Sequence, residues 1–377
     1  MSVVNALRLS HVPALAFTIL GLYWGSFAAF VPQLKAQTGA GDALFGMLLL
    51  GTACGLATTM WIAPTVDRAL GRWSMGVCAA LLAGAFLLPG LATSPAAFFG
   101  AMLCCGMASG LTDVIMNARV SELEAHSKRP LMNANHGMFS LAYAVGALAT
   151  GSARAASVQP FVVFAVLGLL VLLLARRLQM TPHDARGEGV AGTLPWGIVA
   201  LCGAVVLIAF MSEAAVEAWS ALHLERTLGG SAAEGALGPA MLGLTMAVGR
   251  FSGQAVSERL RDTRVILGAV TVAVAGTVLV VLAPAPLVAY VGFGIMGLGI
   301  SVIGPLGLAL VGRLVPPALR TVAISRTAVL GFLGFFIAPT LMGLISQGFG
   351  LRAAFAAVAL LLLVVWPLVA VLRSRGA

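Results

Sequence analysis

The sequence predicts an all-α membrane protein, with twelve transmembrane helices in two pseudo-symmetric six-helix bundles, and three observations carry that reading. Only 9% of the 377 residues are charged and 60% are hydrophobic, against roughly 25% charged in a soluble domain. Residues 161–175 and 354–372 carry no charge at all, and about 20 such residues cross a ~30 Å hydrocarbon core as a helix. Lipid offers backbone polar groups no water, so each crossing is helical; the alternating ~10-residue segments of a β-barrel are missing. Third, the basic residues gather on one side of the predicted spans.

In chain order, span 1 covers 13–34 and stops at Lys35; span 2 covers 44–65 and gives way to Asp67 and Arg68. Span 3 (74–93) follows Arg72, span 4 (96–119) runs to Arg119, and span 5 (132–152) lies between Arg129 and Arg154. Span 6 (158–176) ends at Arg176 and Arg177, and span 7 (195–222) opens at Pro195 and closes before Arg226. Span 8 (235–257) precedes Glu258 and Arg259, span 9 (264–283) starts at Arg264, and span 10 (286–311) ends short of Arg313. Spans 11 (321–345) and 12 (352–372) are flanked by Arg320, Arg352 and Arg373.

Of the 22 Lys and Arg residues, Lys35, Arg154, Arg226 and Arg352 fall on one side and Arg250 and Arg326 within spans, leaving sixteen on the other side. By the positive-inside rule the sixteen are cytoplasmic, which places both termini in the cytoplasm of a bacterial-type inner membrane. The net charge of +9 is thereby a topology signal, and no nucleic-acid partner is expected. The first span lacks a small-residue cleavage site and reads as a retained helix. All five cysteines lie inside spans and read as packing residues. No metal site, cofactor or nucleotide-binding loop is evident, no nucleophile and base stand at a catalytic spacing, and the chain is not expected to be an enzyme.

The longest polar segment, residues 176–195, separates six spans from six. It divides the chain into an N-terminal bundle (1–178), a cytoplasmic linker (179–194) and a C-terminal bundle (195–377). Moving the second half back by 297 − 106 = 191 residues superimposes Gly297 on Gly106 and Glu258-Arg259 on Asp67-Arg68; with a one-residue slip, Gly238 and Gly243 fall on Gly46 and Gly51. Six spans per half make the repeat parallel, with substrate expected between the halves.

The loop "APTVDRALGRW" (63–73) resembles the hallmark Gly-x-x-x-Asp-Arg-x-Gly-Arg-Arg loop of the major facilitator superfamily through Asp67, Arg68, Gly71 and Arg72; Ala63 replaces the first glycine and Leu70 is extra. The resemblance implies a conformational latch that stabilises an outward-open state, with Glu258 and Arg259 as its second-half counterpart. "NHGMFSLAYAVGALATG" (135–151), "SEAAVEAW" (212–219), "GRFSG" (249–253) and "GLGISVIGPLGLAL" (297–310) look like the YbjJ-type inner-membrane branch, related to fucose-type sugar permeases.

Ionisable side chains at membrane depth cost ~2.5–3.5 kcal/mol each, so each is a candidate for function. Gly106, Gly110, Asp113, Asn117 and Ser121 share one face of span 4. His136, Ser140, Tyr143 and Ala147 form a stripe on span 5, at a depth where Asp113 and His136 can pair as a proton-coupling element or as a structural tie. Glu213 and Glu217 stand four apart on span 7, ahead of Trp219, two stacked acids suited to carrying a proton. Arg326 is expected opposite the His-Asp pair, as a clamp for a substrate carboxylate or phosphate. Arg250, flanked by glycine, reads as structural. Tyr23, Trp24, Asn117, Ser140, Tyr143, Asn135 and Trp219 complete the candidate substrate lining.

The expected function is secondary transport of a small solute by alternating access, proton-coupled, by a monomer embedded in the lipid bilayer. Efflux of amphipathic compounds is the alternative, and a non-transporting sensor or assembly protein on the same fold is the third reading.

Overall fold

The computed structural model describes residues 2–182, 193–257, 262–316 and 319–374. Helix accounts for nearly all of them, and there is no strand among them. The first half of the chain contains α1 (Val3–Leu9), α2 (His11–Thr38), α3 (Asp42–Leu48), α4 (Leu50–Leu70), α5 (Ser74–Leu91), α6 (Pro95–Ser127), α7 (Met132–Ala155) and α8 (Pro160–Leu174). The second half contains α9 (Trp196–Leu222), α10 (Ala232–Ser257), α11 (Asp262–Leu282), α12 (Pro286–Leu314) and α13 (Arg320–Ser374).

The helix ends follow from local chemistry. Proline opens α6, α8 and α12, where its missing N–H costs nothing, and the Ser94 hydroxyl caps α6 by accepting from the Ala97 N–H. Gly39 closes α2 at φ 67° and Gly71 follows α4 at φ 53°, backbone that a side chain disfavours. Gly350, at φ 80°, interrupts α13 and divides it into two helical limbs, which correspond to predicted spans 11 and 12. Predicted span 2 is interrupted between α3 and α4, and predicted span 4 is the first part of a 33-residue helix that continues past Arg119 to Ser127.

Eight helical stretches are long and apolar enough to cross a membrane, and two of these, Asp42–Leu91 and Val322–Ser374, each contain two limbs. The helices α7 and α10 are not among the eight. Each dilutes its apolar residues with polar and small ones: Asn133, Asn135, His136 and Ser140 on α7, and Thr245, Arg250 and several glycines on α10. Burial separates the centre from the periphery. The apolar window of α2 is 78% buried, whereas that of the α8 region is 22% buried and presents Val166, Leu169, Leu172 and Leu173 outward, as a lipid-facing helix does.

Side-chain and backbone bonds sort the helix ends into two groups. At the end that holds the termini, Asp67 meets Arg119, Asn135 meets Ser10, and Asp262 meets Arg313. At the opposite end, Gln37 donates to the carbonyls of Gly90 and Ala92, and Arg352 to those of Val281 and Ala283. Glycines set the closest approaches. A Cβ on Gly106 of α6 would stand 2.7 Å from Thr52 Cα on α4, and one on Gly297 of α12 would press on Thr245 Oγ1 of α10. The two glycines superimposed in the sequence therefore make the same kind of contact in each half.

Candidate functional site

Polar side chains from α6, α7, α9 and α10 form one connected network. On α6, Asn117 Nδ2 donates to Asp113 Oδ1 at 3.0 Å and to the Asp113 carbonyl at 2.8 Å. From α7, His136 Nε2 donates to Asn117 Oδ1 at 3.2 Å. The expected direct Asp113–His136 pair is thus corrected: one turn of helix separates Asp113 from Asn117, and the amide, with both a donor and an acceptor, fills the gap. The imidazole also packs edge-on against Phe17, centroids 4.9 Å apart.

One turn further along α7, the Ser140 hydroxyl donates to the His136 carbonyl at 3.1 Å and accepts from Arg250 Nη1 of α10. The other terminal nitrogen, Arg250 Nη2, lies 3.2 Å from Glu213 Oε1 on α9. Both side chains are about nine-tenths buried, where an unpaired charge is costly and a paired one is held firmly. Glu217, one turn beyond Glu213, is half-buried and within electrostatic reach of Glu213 and Arg250. Tyr143 lies within electrostatic reach of both acids, and its hydroxyl is buried without a hydrogen-bond partner.

The approach of α7 and α10 makes this meeting possible. Gly243 of α10 leaves so little room that a Cβ there would stand 2.8 Å from Tyr143 Cδ1 and 2.9 Å from the Ser140 carbonyl, and Gly137 of α7 receives the ring of Phe251. Arg250, read from the sequence as structural, joins a hydroxyl of the first half to a carboxylate of the second. Its signal in the sequence was a lone cation in an otherwise apolar helix.

Arg326 does not take the place expected of it. It is exposed near the start of α13, on the stripe of exposed Val329, Leu333 and Ile337, and among the described residues no hydrogen bond or ion pair reaches it. Tyr23 is also corrected: it is fully buried against Phe86 and Phe164, inside the first half. Asn135 is committed to Ser10 Oγ at 2.9 Å and the Leu131 carbonyl at 2.8 Å, which anchors the start of α7 to the start of α2. Trp24 donates to Ser109 Oγ at 3.2 Å and meets Phe27 and Phe86 edge-on, so its ring is held at an α2–α6 contact. Trp219 is wholly buried against Phe45 and Gly343, where α9, α3 and α13 converge.

At the latch loop, Asp67 Oδ1 accepts from Arg119 Nη2 at 2.6 Å and Arg119 also pairs with Glu122, which joins α4 to α6 inside the first half. Among the described residues Arg68 reaches only Thr65, and Arg72 stacks over Trp73 while its carbonyl accepts from Met180 N. Glu258 and Arg259 lie outside the described residues; Asp262 and Arg313, 2.9 Å apart, form the second-half ion pair at this end.

A second cluster, at the end opposite the termini, escaped the sequence reading. Asp42, at the start of α3, receives both terminal nitrogens of Arg226 at 2.6 Å, Lys35 Nζ at 3.1 Å and the Ser346 hydroxyl at 2.5 Å. Arg154 at the end of α7 pairs with Glu225 through both nitrogens, at 2.6 and 3.1 Å, and also donates to the carbonyls of Ala29 and Ala232. The bonds of Arg226 and Ser346 to Asp42, and of Arg154 to Glu225 and Ala232, cross between the two halves of the chain. The ion pairs at the termini end, Asp67–Arg119 and Asp262–Arg313, stay within a half.

Comparison with known proteins gives this geometry a family. An uncharacterised MFS-type transporter of Yersinia pestis is 31% identical over 366 residues, covering 93% of this chain and 92% of that protein. A bacterial homologue of the human lysosomal transporter Spinster, solved in an inward-facing and occupied conformation, shares the fold with a TM-score of 0.75 at 15% identity, over 98% of this chain and 97% of that one. A D-xylose-proton symporter does so with a TM-score of 0.72 at 15% identity, over 97% and 98%. Family and fold are those of multi-pass membrane transporters and not of enzymes. The Major Facilitator Superfamily model matches residues 14–294 and 199–376, and the chain belongs to that family.

Proposed function

We propose that the protein is a secondary active transporter that moves a small solute across a bacterial inner membrane, coupled to protons, with both termini in the cytoplasm. Twelve spans work as two six-helix bundles, 1–178 and 195–377, joined by the cytoplasmic linker 179–194, and a single copy suffices. The observation that carries this reading is the Arg250 bridge, which ties Glu213 of one half to Ser140 of the other and, through His136 and Asn117, leads to Asp113. A bond between halves that depends on the ionisation of a carboxylate converts protonation into rocking: a proton on Glu213 cancels the charge that holds Arg250.

The two end clusters support a direction. Among the described residues, ion pairs join the halves at the end away from the termini and stay within each half at the other, which supports a carrier closed to the outside. The sixteen-to-four distribution of basic residues supports the same orientation.

The test is proton movement in liposomes that contain purified protein and a trapped pH dye, challenged with sugars, nucleosides, amines and organic acids. Solute-dependent proton flux is expected from wild type and loss of that flux from Glu213→Gln. Solute movement that ignores the pH gradient in both proteins would remove proton coupling from the reading.

A further inference from the structure

At the end that holds the termini, the start of α5 and the end of α8 meet at a basic corner. α8 runs on into a 3₁₀ turn, Ala175–Leu178, whose last residue is fully buried. The Met180 N–H donates to the Arg72 carbonyl at 3.1 Å, and a Cβ on Gly76 would stand 2.9 Å from the Ala175 carbonyl. Backbone contacts thus fix two segments distant in sequence side by side. Arg72, Arg176 and Arg177 are exposed on these segments, and among the described residues no carboxylate pairs with any of the three. The acid nearest in sequence, Asp67, is taken up by Arg119 at 2.6 Å. Arg72 lies over the ring of Trp73, 5.2 Å from its centroid, and Trp73 is itself 45% exposed.

Arginines with a purely structural task look different in this protein. At the opposite end Arg154 and Arg226 each hold an acid, and Arg352 holds two carbonyls. Three unpartnered guanidiniums held close together repel one another and favour an anion between them. The surface of α8 indicates where that anion comes from. Leu169, Leu172 and Leu173 face outward on this peripheral helix, and Arg176 and Arg177 follow one turn beyond Leu173. A lipid whose chains lie along this stripe presents its headgroup phosphate at the arginines. Trp73, beside them, is the kind of side chain that settles at the membrane–water interface.

We infer that this corner binds the headgroup of an anionic phospholipid, whose phosphate accepts from Arg72, Arg176 and Arg177 while its acyl chains lie along α8. Guanidinium groups suit the task, because their planar donors match phosphate oxygens. A free phosphate offers the same oxygens, but only a lipid also covers the outward leucines of α8 and the ring of Trp73. A zwitterionic lipid brings an ammonium that the three cations oppose. Bound there, the lipid joins the turn between α4 and α5 to the end of α8, inside the first half of the chain. The inference draws only on the residence of the protein in a membrane, and it stands or falls apart from proton coupling.

The experiment is thermal unfolding of the purified full-length protein in a non-ionic detergent, titrated with phosphatidylglycerol, with phosphatidylcholine of the same chains, or with glycerol 3-phosphate. Phosphatidylglycerol is expected to raise the Tm at concentrations where the other two do not. Its apparent affinity should exceed that of phosphatidylcholine by on the order of a hundredfold at low salt, roughly fivefold per arginine, and the preference should shrink as salt is added. Replacing Arg72→Gln, Arg176→Gln and Arg177→Gln together should remove the preference. Replacing Lys128→Gln, Arg129→Gln and Arg373→Gln together, which deletes the same charge from exposed positions elsewhere at this end, should retain it. An equal loss in both variants would assign the effect to overall surface charge and overturn the inference. A Tm rise from glycerol 3-phosphate, an equal rise from phosphatidylcholine, or no preference in wild type, as would follow if Asp184 and Glu188 of the linker filled the corner, overturns it as well. Should the arginine variant fail to fold, the emission of Trp73, taken as wild type minus Trp73→Phe in lipid nanodiscs, decides. Brominated phosphatidylglycerol is expected to quench it more strongly than brominated phosphatidylcholine, and equal quenching overturns the inference.

Discussion

At Arg250 a single guanidinium spans two helices that do not belong to the same half of the chain, and its neighbours determine what its loss would do. Removing the cation strands Glu213 in a site about nine-tenths buried, and breaking a buried pair from one side costs on the order of 3–5 kcal/mol before relaxation or protonation reduces it. Arg250→Met is therefore expected to lower the Tm of the purified protein, and Arg250→Met with Glu213→Gln to recover part of the loss. A double-mutant cycle should return a coupling of at least about 1 kcal/mol; additive effects would mean that the contact carries no weight. The acids of this network were legible in the sequence because Asp113 and Glu213 interrupt apolar helices. Arg250 interrupts one just as plainly, yet its partners lie 110 and 37 positions away, and no helical periodicity reports contacts at such separations. The same limit hid the role of Asn117, and it set Tyr23 and Asn135 among the lining when both are committed to packing.

Among the elements, α7 and α10 carry the burden of bringing the network together, and they do so with small residues. Their polar and glycine-rich composition is also why they fall below the apolarity of the other crossing helices. The sequence does show the glycines, and the superposition of Gly106 on Gly297 anticipates that each lets a pair of helices close up. It does not show which helix fills the space. Gly106→Ala is expected to destabilise by roughly 1–3 kcal/mol, because its Cβ would overlap the backbone of Thr52. Gly100→Ala on the same helix meets open space and should be neutral or slightly stabilising, since alanine is the better helix former. Equal Tm values for the two variants would contradict the close α4–α6 contact. Element ends were less legible: the kink at Gly350 and the extension of α6 past Arg119 depend on neighbours that a hydropathy pattern does not include.

Across the whole molecule, the four basic residues on the sparsely charged side are all engaged. Lys35 and Arg226 bind Asp42, Arg154 binds Glu225, and Arg352 donates to the carbonyls at the end of α11. The rule that clears one side of positive charge explains the pattern: what remains there has structural work. Two of the four, Arg226 and Arg154, hold the two halves together, in keeping with the proposed carrier shut at that face. The most direct measurement is the reactivity of a cysteine placed at Ser140 in a cysteine-free protein, read with a membrane-impermeant maleimide on right-side-out and inside-out vesicles. Labelling is expected predominantly from the cytoplasmic face. With Asp42→Asn and Glu225→Gln together, it should shift toward the outer face. Labelling from neither face in either protein, or an outer-face reaction that the two substitutions leave unchanged, would contradict alternating access to this site.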